Sequence, residues 1–341
     1  MGVQLRDIIM TKDIGLEMLG GKTIAIDALN ALYQFISTIR QEDGTPLMDS
    51  KGTITSHLSG MFYRTSNLMQ AGITPVYVFD GKPIELKSET LRVRNETREN
   101  ARQEWALAKE EGRIGDARKW AQASTKINSG MIADSKLLLE AMGVVSVQAP
   151  GEGEAQCARM CADGAVFASV SQDYDSLLFG APTLVRNLSI SGRRKIPGQN
   201  AYVKTSPEMI HLNEELVRLG ISREQLIIIG VLSGTDFNPH GVKGIGAKKG
   251  LALVKKYGTL EKVLEHVDWD FEKSPKEIAD IFLNPDVTAS YSISNASLNE
   301  EGIYGLLCDE HDFSRERVEK VVGLIKAARK AGSQKDLSTF F

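Results

Sequence analysis

The chain has 341 residues, with 41 Lys and Arg against 44 Asp and Glu, a formal net charge of −3, and 42% hydrophobic residues. That composition supports a sizeable core, in one large α/β unit with attachments or in two or three domains. It excludes a polycation, so nucleic acid would have to be met by local basic surface.

No apolar run approaches a membrane span, and charges interrupt the start (MGVQLRDIIMTKD) where a signal peptide needs its apolar centre. This predicts a cytosolic or nuclear protein. The three cysteines suit a reducing compartment. Cys157 and Cys161, one helical turn apart with no partner ligands nearby, read as buried free thiols rather than zinc ligands.

Residues 22–27 (KTIAID) form the first apolar run, and it ends on Asp27. A helical period follows over 30–40, with Leu32, Phe35, Ile36 and Ile39 on one face. Asp43-Gly44 is a turn signal. Residues 55–70 repeat the helical period, and 75–80 (PVYVFD) form a second strand, ending on Asp80. Alternation of strands and helices predicts a mostly parallel sheet with right-handed crossovers, flanked by helices.

From 81 to 126 eleven basic residues face eight acidic ones, with few apolar residues besides Trp105 and Trp120. A helical insertion of that kind has no core of its own. It is either a solvated charged hairpin or, as its place after Asp80 suggests, a basic lid. Residues 127–142 resume an amphipathic helix, stopped at Gly143.

The stretch from 148 to 180 carries the chemistry. Glu152 and Glu154 follow Pro150-Gly151 after a strand over 144–147, entering a helix-like segment at 155–162. A buried-strand run over 165–171 places Asp173 and Asp175 just past its carboxyl end, the edge where open α/β sheets bind ligands. Asp27 and Asp80 can reach the same rim. Carboxylates this close repel unless a cation neutralises them. All-oxygen donors without His or Cys point to magnesium or manganese, against the plainer reading of scattered surface acids.

Residues 183–189 read as the last strand, and Arg193-Arg194-Lys195 as a basic turn before 202–204. From 208 the chain is expected to be mainly helical. A buried helix at 226–232 leads to Asp236, a further acid at an element's end. The turn 241–246 (GVKGIG) then opens a helix over 247–257. Gly244 and Gly246 let backbone N–H groups approach a phosphate at that helix N-terminus, and Lys248 and Lys249 add charge. This pattern suits a helix-hairpin-helix that grips a nucleic-acid backbone without reading sequence. At the end, Ala331-Gly332-Ser333 reads as a linker that breaks helical continuity. Phe340 and Phe341 then either pack back on their own domain or dock on a partner.

Taken in order, IAIDA, VYVFDGKP, APGEGEAQ, SQDYDSLLFG and GTDF…GVKGIG resemble the structure-specific 5′ flap endonucleases over nearly the whole chain. The resemblance implies a PIN-like α/β core with a helical arch and a helix-hairpin-helix (helix-two-turn-helix) region. It further implies cleavage of 5′ single-stranded flaps in DNA replication and repair by two divalent metals, Mg2+ with Mn2+ able to substitute. Carried over by motif, Asp27, Asp80, Glu152, Glu154, Asp173, Asp175 and Asp236 are the metal carboxylates. Lys87 and Arg94 are the arch-base cations, and Tyr33 is the stacking tyrosine. The backbone of Val242 and Ile245 is an implied potassium contact, although Gly241 stands where some relatives place a hydroxyl. Gln334, Leu337, Phe340 and Phe341 match a sliding-clamp-binding box for proliferating cell nuclear antigen.

On this reading the chain divides into nuclease regions at 1–80 and 127–205, an arch at 81–126, a helical DNA-binding region at 206–326 and a flexible tail at 327–341. A monomeric, archaeal cytoplasmic enzyme is expected. The residues support that chemistry independently. Phosphodiester hydrolysis needs a deprotonated water and a stabilised leaving oxygen, which two carboxylate-held metals supply. Lys87 and Arg94 would donate to the phosphate as charge develops. A non-catalytic clamp adaptor would be expected to lose a central carboxylate, and none is missing. A nucleophilic-aspartate phosphotransferase needs a DxD pair, which Asp27-Ala28-Leu29 lacks.

Overall fold

In a computed structural model the chain is described at residues 2–82, 87–188, 193–195, 202–204, 206–294 and 296–338. A two-residue strand, β1 (Lys12–Asp13), precedes β2 (Thr23–Asp27). Four further strands, β3 (Thr74–Phe79), β4 (Val145–Gln148), β5 (Ala168–Val170) and β6 (Thr183–Arg186), join β2 in parallel, in the order β6-β5-β2-β3-β4. All five therefore present their carboxyl ends at one edge. β2 and β3 lie at the middle with Asp27 in register with Val78, so Asp27 and Asp80 emerge side by side.

Two departures from the sequence reading concern this sheet. β6 is not its last strand. After a separate ribbon of β7 (Arg193–Lys195) and β8 (Tyr202–Lys204), β9 (Glu208–His211) returns antiparallel to β6, and β1 completes that edge. The sheet is thus mixed, and the segment read as a basic turn is one arm of a ribbon. Four residues, EMIH, with two apolar side chains are too short to show a period. β5 is also shorter than the apolar run at 165–171. Ala165 and Val166 donate backbone hydrogen bonds to the carbonyl of Met160, closing a turn before the strand starts.

Helices cover both faces, which is why the strands read as nearly continuous apolar runs. On one face lie α1 (Ala28–Thr38) and α2 (Ser56–Gln70). The pair α3 (Ser88–Glu110) and α4 (Ile114–Ala123) is the insertion. Next comes α5 (Ser129–Ala141), capped by Asn128, which joins α1 and α2 in the larger core. The opposite face takes α6 (Gly153–Ala162), whose Cys157, Met160 and Cys161 pack on Ala25, Val76 and Val78. Both of these cysteines are free and buried, as expected.

The insertion has no large apolar core. Instead α3 and α4 close on small buried residues, Ala101, Ala108, Ala117 and Ala121. Their base is tied to the end of α1, where Arg40 donates to Thr125 Oγ1 at 2.7 Å. A Cβ on Gly44 would stand 3.0 Å from the Ala121 methyl.

After α7 (Asp175–Leu178) the second core is helical. It holds α8 (Leu212–Leu219), α9 (Arg223–Ser233), α10 (Ala247–Tyr257), α11 (Leu260–Leu264) and α12 (Pro275–Leu283). The N-terminal residues Val3, Leu5, Ile8 and Ile9 are buried within it. The chain closes with α13 (Glu300–Tyr304) and α14 (Arg315–Ser338), the latter anchored on the first core through Val318, Val322 and Ile325. Here the expected break at Ala331-Gly332-Ser333 is corrected, since α14 runs through it to Ser338. One glycine costs a helix only about 1 kcal/mol, and its Ala, Lys and Gln neighbours favour helix.

Candidate active site

Seven carboxylates reach the carboxyl edge of the sheet, each carried there by an element end. Asp27 closes β2 and caps α1, its Oδ1 accepting from Asn30 N at 3.0 Å. Asp80 follows β3 and accepts from Gly153 N at 2.8 Å. A Cβ at Gly153 would lie 2.5 Å from the Asp80 Oδ1, so a larger residue there would displace the Asp80 carboxylate. Glu152 stands at the N-cap position of α6 and Glu154 in its first turn, where Glu154 accepts a hydrogen bond from the Ser171 hydroxyl. Asp173 follows β5, and Asp175 opens α7. Asp236 comes from the loop after α9, outside the sheet entirely.

The insertion supplies the opposing charge. Lys87 donates to Glu152, lies 3.6 Å from Asp236 and sits over the Phe237 ring. Arg94, two turns into α3, donates to Asp236. The expected lid therefore does reach the acidic rim with two cations.

Burial and mutual repulsion set the electrostatics. Burial, then Asp80, Asp173 and Glu152, hold Asp27 well above the usual carboxylate range. Burial with Asp175 and Asp27 does the same to Glu154. Asp175 is pushed up to about 7 by burial, Asp173 and Asp236, and Asp80 to about 6 by burial and Glu152. Asp236 departs from this pattern: burial would raise it, but Lys87 and Arg94 hold it below its ordinary value. Burial alone would lower Lys87, yet Glu152 and Asp236 raise it.

A rim of carboxylate oxygens at this charge density is a donor set suited to a hard divalent cation. Among the described residues no three acids are drawn together at a single point, and two of them, Glu152 and Asp236, are paired with Lys87 and Arg94.

Four contributors were not singled out in the sequence. Asn30 links two acids, its backbone N–H on Asp27 and its Nδ2 on Asp173 Oδ2 at 3.2 Å. Ser171 holds Glu154 and accepts from the Asp173 N–H. The N–H groups of Gly2 and Val3 donate to Asp173 and Asp175, at 3.2 and 2.7 Å. Only Asn30 left a sequence signal, a polar side chain one turn after Asp27. The N-terminal contacts depend on chain entry and left none.

The remaining expected residues stand apart from these contacts. Tyr33 is 39% exposed on α1. In the turn before α10, Gly241 and Gly244 have φ of 59° and 77°, and a Cβ on Gly241 would meet the Leu232 carbonyl oxygen at 2.3 Å. Val242 N donates to Leu232 O and Ile245 N to Val242 O, which shapes the turn. Gly244, Gly246, Lys248 and Lys249 are exposed at the start of α10. Asp236 lies in the same connection as this turn, which ties it to the rim. Gln334 and Leu337 fall within α14, while Phe340 and Phe341 lie outside the described residues.

Residues 1–101 match the XPG N-terminal domain and residues 143–236 the XPG I-region. Flap endonuclease 1 of Pyrococcus furiosus is 56% identical over 342 aligned residues, covering 100% of this chain and 99% of that protein. The solved structure of flap endonuclease-1 from Methanococcus jannaschii superposes with a TM-score of 0.77 at 42% identity, over 98% of this chain and 100% of that one. The catalytic core of Rad2 in complex with DNA substrate is similar in fold alone, with a TM-score of 0.71 at 22% identity over 95% of this chain and 100% of that one.

Proposed function

Since the chain belongs to the flap endonuclease 1 family, we propose how its parts divide the work of that family's reaction. It is a structure-specific nuclease that removes 5′ single-stranded flaps from DNA in replication and repair, and it is metal-dependent. The observation that carries this reading is the rim itself, where seven carboxylates gather at the carboxyl edge of the sheet and two of them, Glu152 and Asp236, meet two cations of the insertion.

The finer assignment is ours. Glu152, Glu154, Asp173 and Asp175 would hold two divalent ions, Mg2+ or Mn2+, with Asp27, Asp80 and Asp236 supporting them from the same rim. Ions bound there would supply an activated water and stabilise the leaving oxygen. Lys87 and Arg94 exchange their carboxylate partners for the scissile phosphate and donate to it as its charge grows. Tyr33 stacks on an unpaired base. Gly244, Gly246, Lys248 and Lys249 hold the duplex backbone, and a potassium ion at the backbone of Val242 and Ile245 belongs to the same grip. Gln334, Leu337, Phe340 and Phe341 dock on the sliding clamp. The enzyme works as a cytoplasmic monomer.

End-labelled flaps, nicks, bubbles and junctions, each with and without magnesium, test the reading. Cleavage at the flap base that depends on magnesium is expected, and equal cutting of all substrates would overturn it.

A further inference from the structure

A cavity of about 220 Å³ lies between α1 and the sheet, beside the acidic rim, with which it shares Asp27, Asn30 and Ser171. On α1 it is lined by Asp27, Asn30, Ala31, Gln34 and Phe35, a single face spaced three, four, seven and eight residues apart. Tyr33 is not on that face. Leu16, 36% exposed, and the exposed Asn67 stand at the solvent side, while Asp27 and Ser171 bring the cavity to the rim.

Its lining has two characters. Ile26, Leu68, Tyr77, Val170 and Leu188 with Phe35 supply apolar walls. Four carboxamides, Asn30, Gln34, Asn67 and Gln172, supply polar edges, each carrying donor and acceptor on one planar group. The arginine in the wall, Arg64, lies over the Phe35 ring at 5.9 Å. Among the described residues Asp27, at the rim end, is the one carboxylate in the lining.

The volume exceeds the roughly 150 Å³ of an apolar cavity that admits benzene. It falls short of the roughly 300 Å³ at which pockets begin to enclose whole drug-sized ligands. One flat ring system fits, with apolar faces and hydrogen-bonding edges. That is the chemistry of a nucleobase, and it adjoins a rim that cuts nucleic acid.

We propose that this cavity is a nucleobase site, taking the base of a nucleoside or nucleoside 5′-monophosphate such as the enzyme releases. The proposal rests on the nuclease reading for its choice of ligand, and on the lining alone for its ring-and-edge chemistry. Asn30 accepts from Gln34 Nε2 at 2.8 Å and donates to Asp173, so a base in the cavity touches a residue that also orients the rim.

The test is a titration of the full-length protein in EDTA with adenosine, adenosine 5′-monophosphate and inorganic phosphate, read by calorimetry and by amide NMR. Adenosine and its monophosphate should both bind, with Kd on the order of 1 mM or tighter for one buried ring, and phosphate should not. The side-chain amides of Asn30, Gln34 and Asn67 should shift. Ala31→Leu, which projects three further carbons into the cavity, should weaken adenosine at least about tenfold, a change of about 1.4 kcal/mol. Asn67→Leu, at the exposed mouth, gives a second variant should Ala31→Leu misfold, and should weaken adenosine in the same direction.

Wild-type protein that ignores adenosine, shifts confined to other elements, or undiminished binding in both variants would overturn the site. Binding by phosphate alone would transfer the effect to the cationic rim and overturn it equally. Magnesium-dependent flap cleavage by the wild type is scored separately. If cleavage persists without adenosine binding, the cavity proposal fails and the nuclease reading stands. If adenosine binds without cleavage, the reverse holds.

Discussion

Asp175 stands among like charges and, with Asp173, holds the N-terminal segment, through Val3 N at 2.7 Å. Asp175→Asn keeps an acceptor for that N–H but removes a charge from the crowded rim. Cleavage should fall by at least about a hundredfold, the scale of losing one electrostatic group in a preorganised site. DNA binding should be unchanged or tighter. In metal-free buffer at pH 8 the variant should melt above the wild type. Normal single-turnover cleavage at saturating magnesium would refute the ligand role, and a lower melting temperature would refute the repulsion.

The raised acids also set a pH dependence. Asp80, at about 6, and Asp175, at about 7, hold protons more tightly when folded than at their ordinary 3.8. Their contribution to stability is complete below about pH 4 and is lost as pH rises through about 6 to 7. Metal-free protein should therefore melt at a lower temperature at pH 8 than at pH 5.5, and magnesium should shrink the difference.

His57 works in the opposite sense, pushed down to about 4 by burial and His311. Both its ring nitrogens are buried without a hydrogen-bond partner among the described residues. Its resistance to protonation removes stability as pH falls from about 6.5 to about 4. His57→Leu should flatten that acid limb and leave the alkaline one, which melting curves across pH can separate.

At the scale of elements, the turn between α9 and α10 is backbone-determined. Gly241 has a positive φ and no room for a Cβ, so its place in the sequence was a true signal of a special conformation. On the proposed reading the lysines after it act through charge. Replacing Lys248 and Lys249 with Ala should weaken duplex binding and reduce the salt slope by roughly one unit for each phosphate no longer neutralised. Titrations at several salt concentrations measure this, and an unaltered slope would leave the turn a purely structural device.

The insertion teaches the complementary point. Its charge and sparse apolar content were readable, yet its stability comes from an alanine seam, which no hydrophobic period announces. Likewise β9 escaped notice because its four residues carry only two buried side chains, Met209 and Ile210, too few to show a period.

For the whole molecule, the end of α14 bears on the proposed docking of the tail. The helix is anchored by Val318, Val322 and Ile325, well before Gln334. Deleting residues 334–341 should therefore leave the melting temperature unchanged and cleavage of isolated flaps within about twofold, because the helix's anchors on the core lie before the cut. The same deletion should abolish stimulation by the sliding clamp. A truncated protein that melts early and is still stimulated would refute the docking role.

Much of this protein was determined by sequence alone. Aspartates at the ends of two apolar runs, and two acidic pairs beside turn signals, follow from local periodicity, because a strand's end and a helix's start are set by their own residues. What only the tertiary structure decided is which distant groups share a place. Asp236 reaches the rim from a helical connection, Lys87 and Arg94 descend from the insertion, and Gly2, Val3 and Asn30 hold the acids in position. No local pattern encodes these pairings, since each joins segments up to 172 residues apart and exists only once burial has fixed the chain's path.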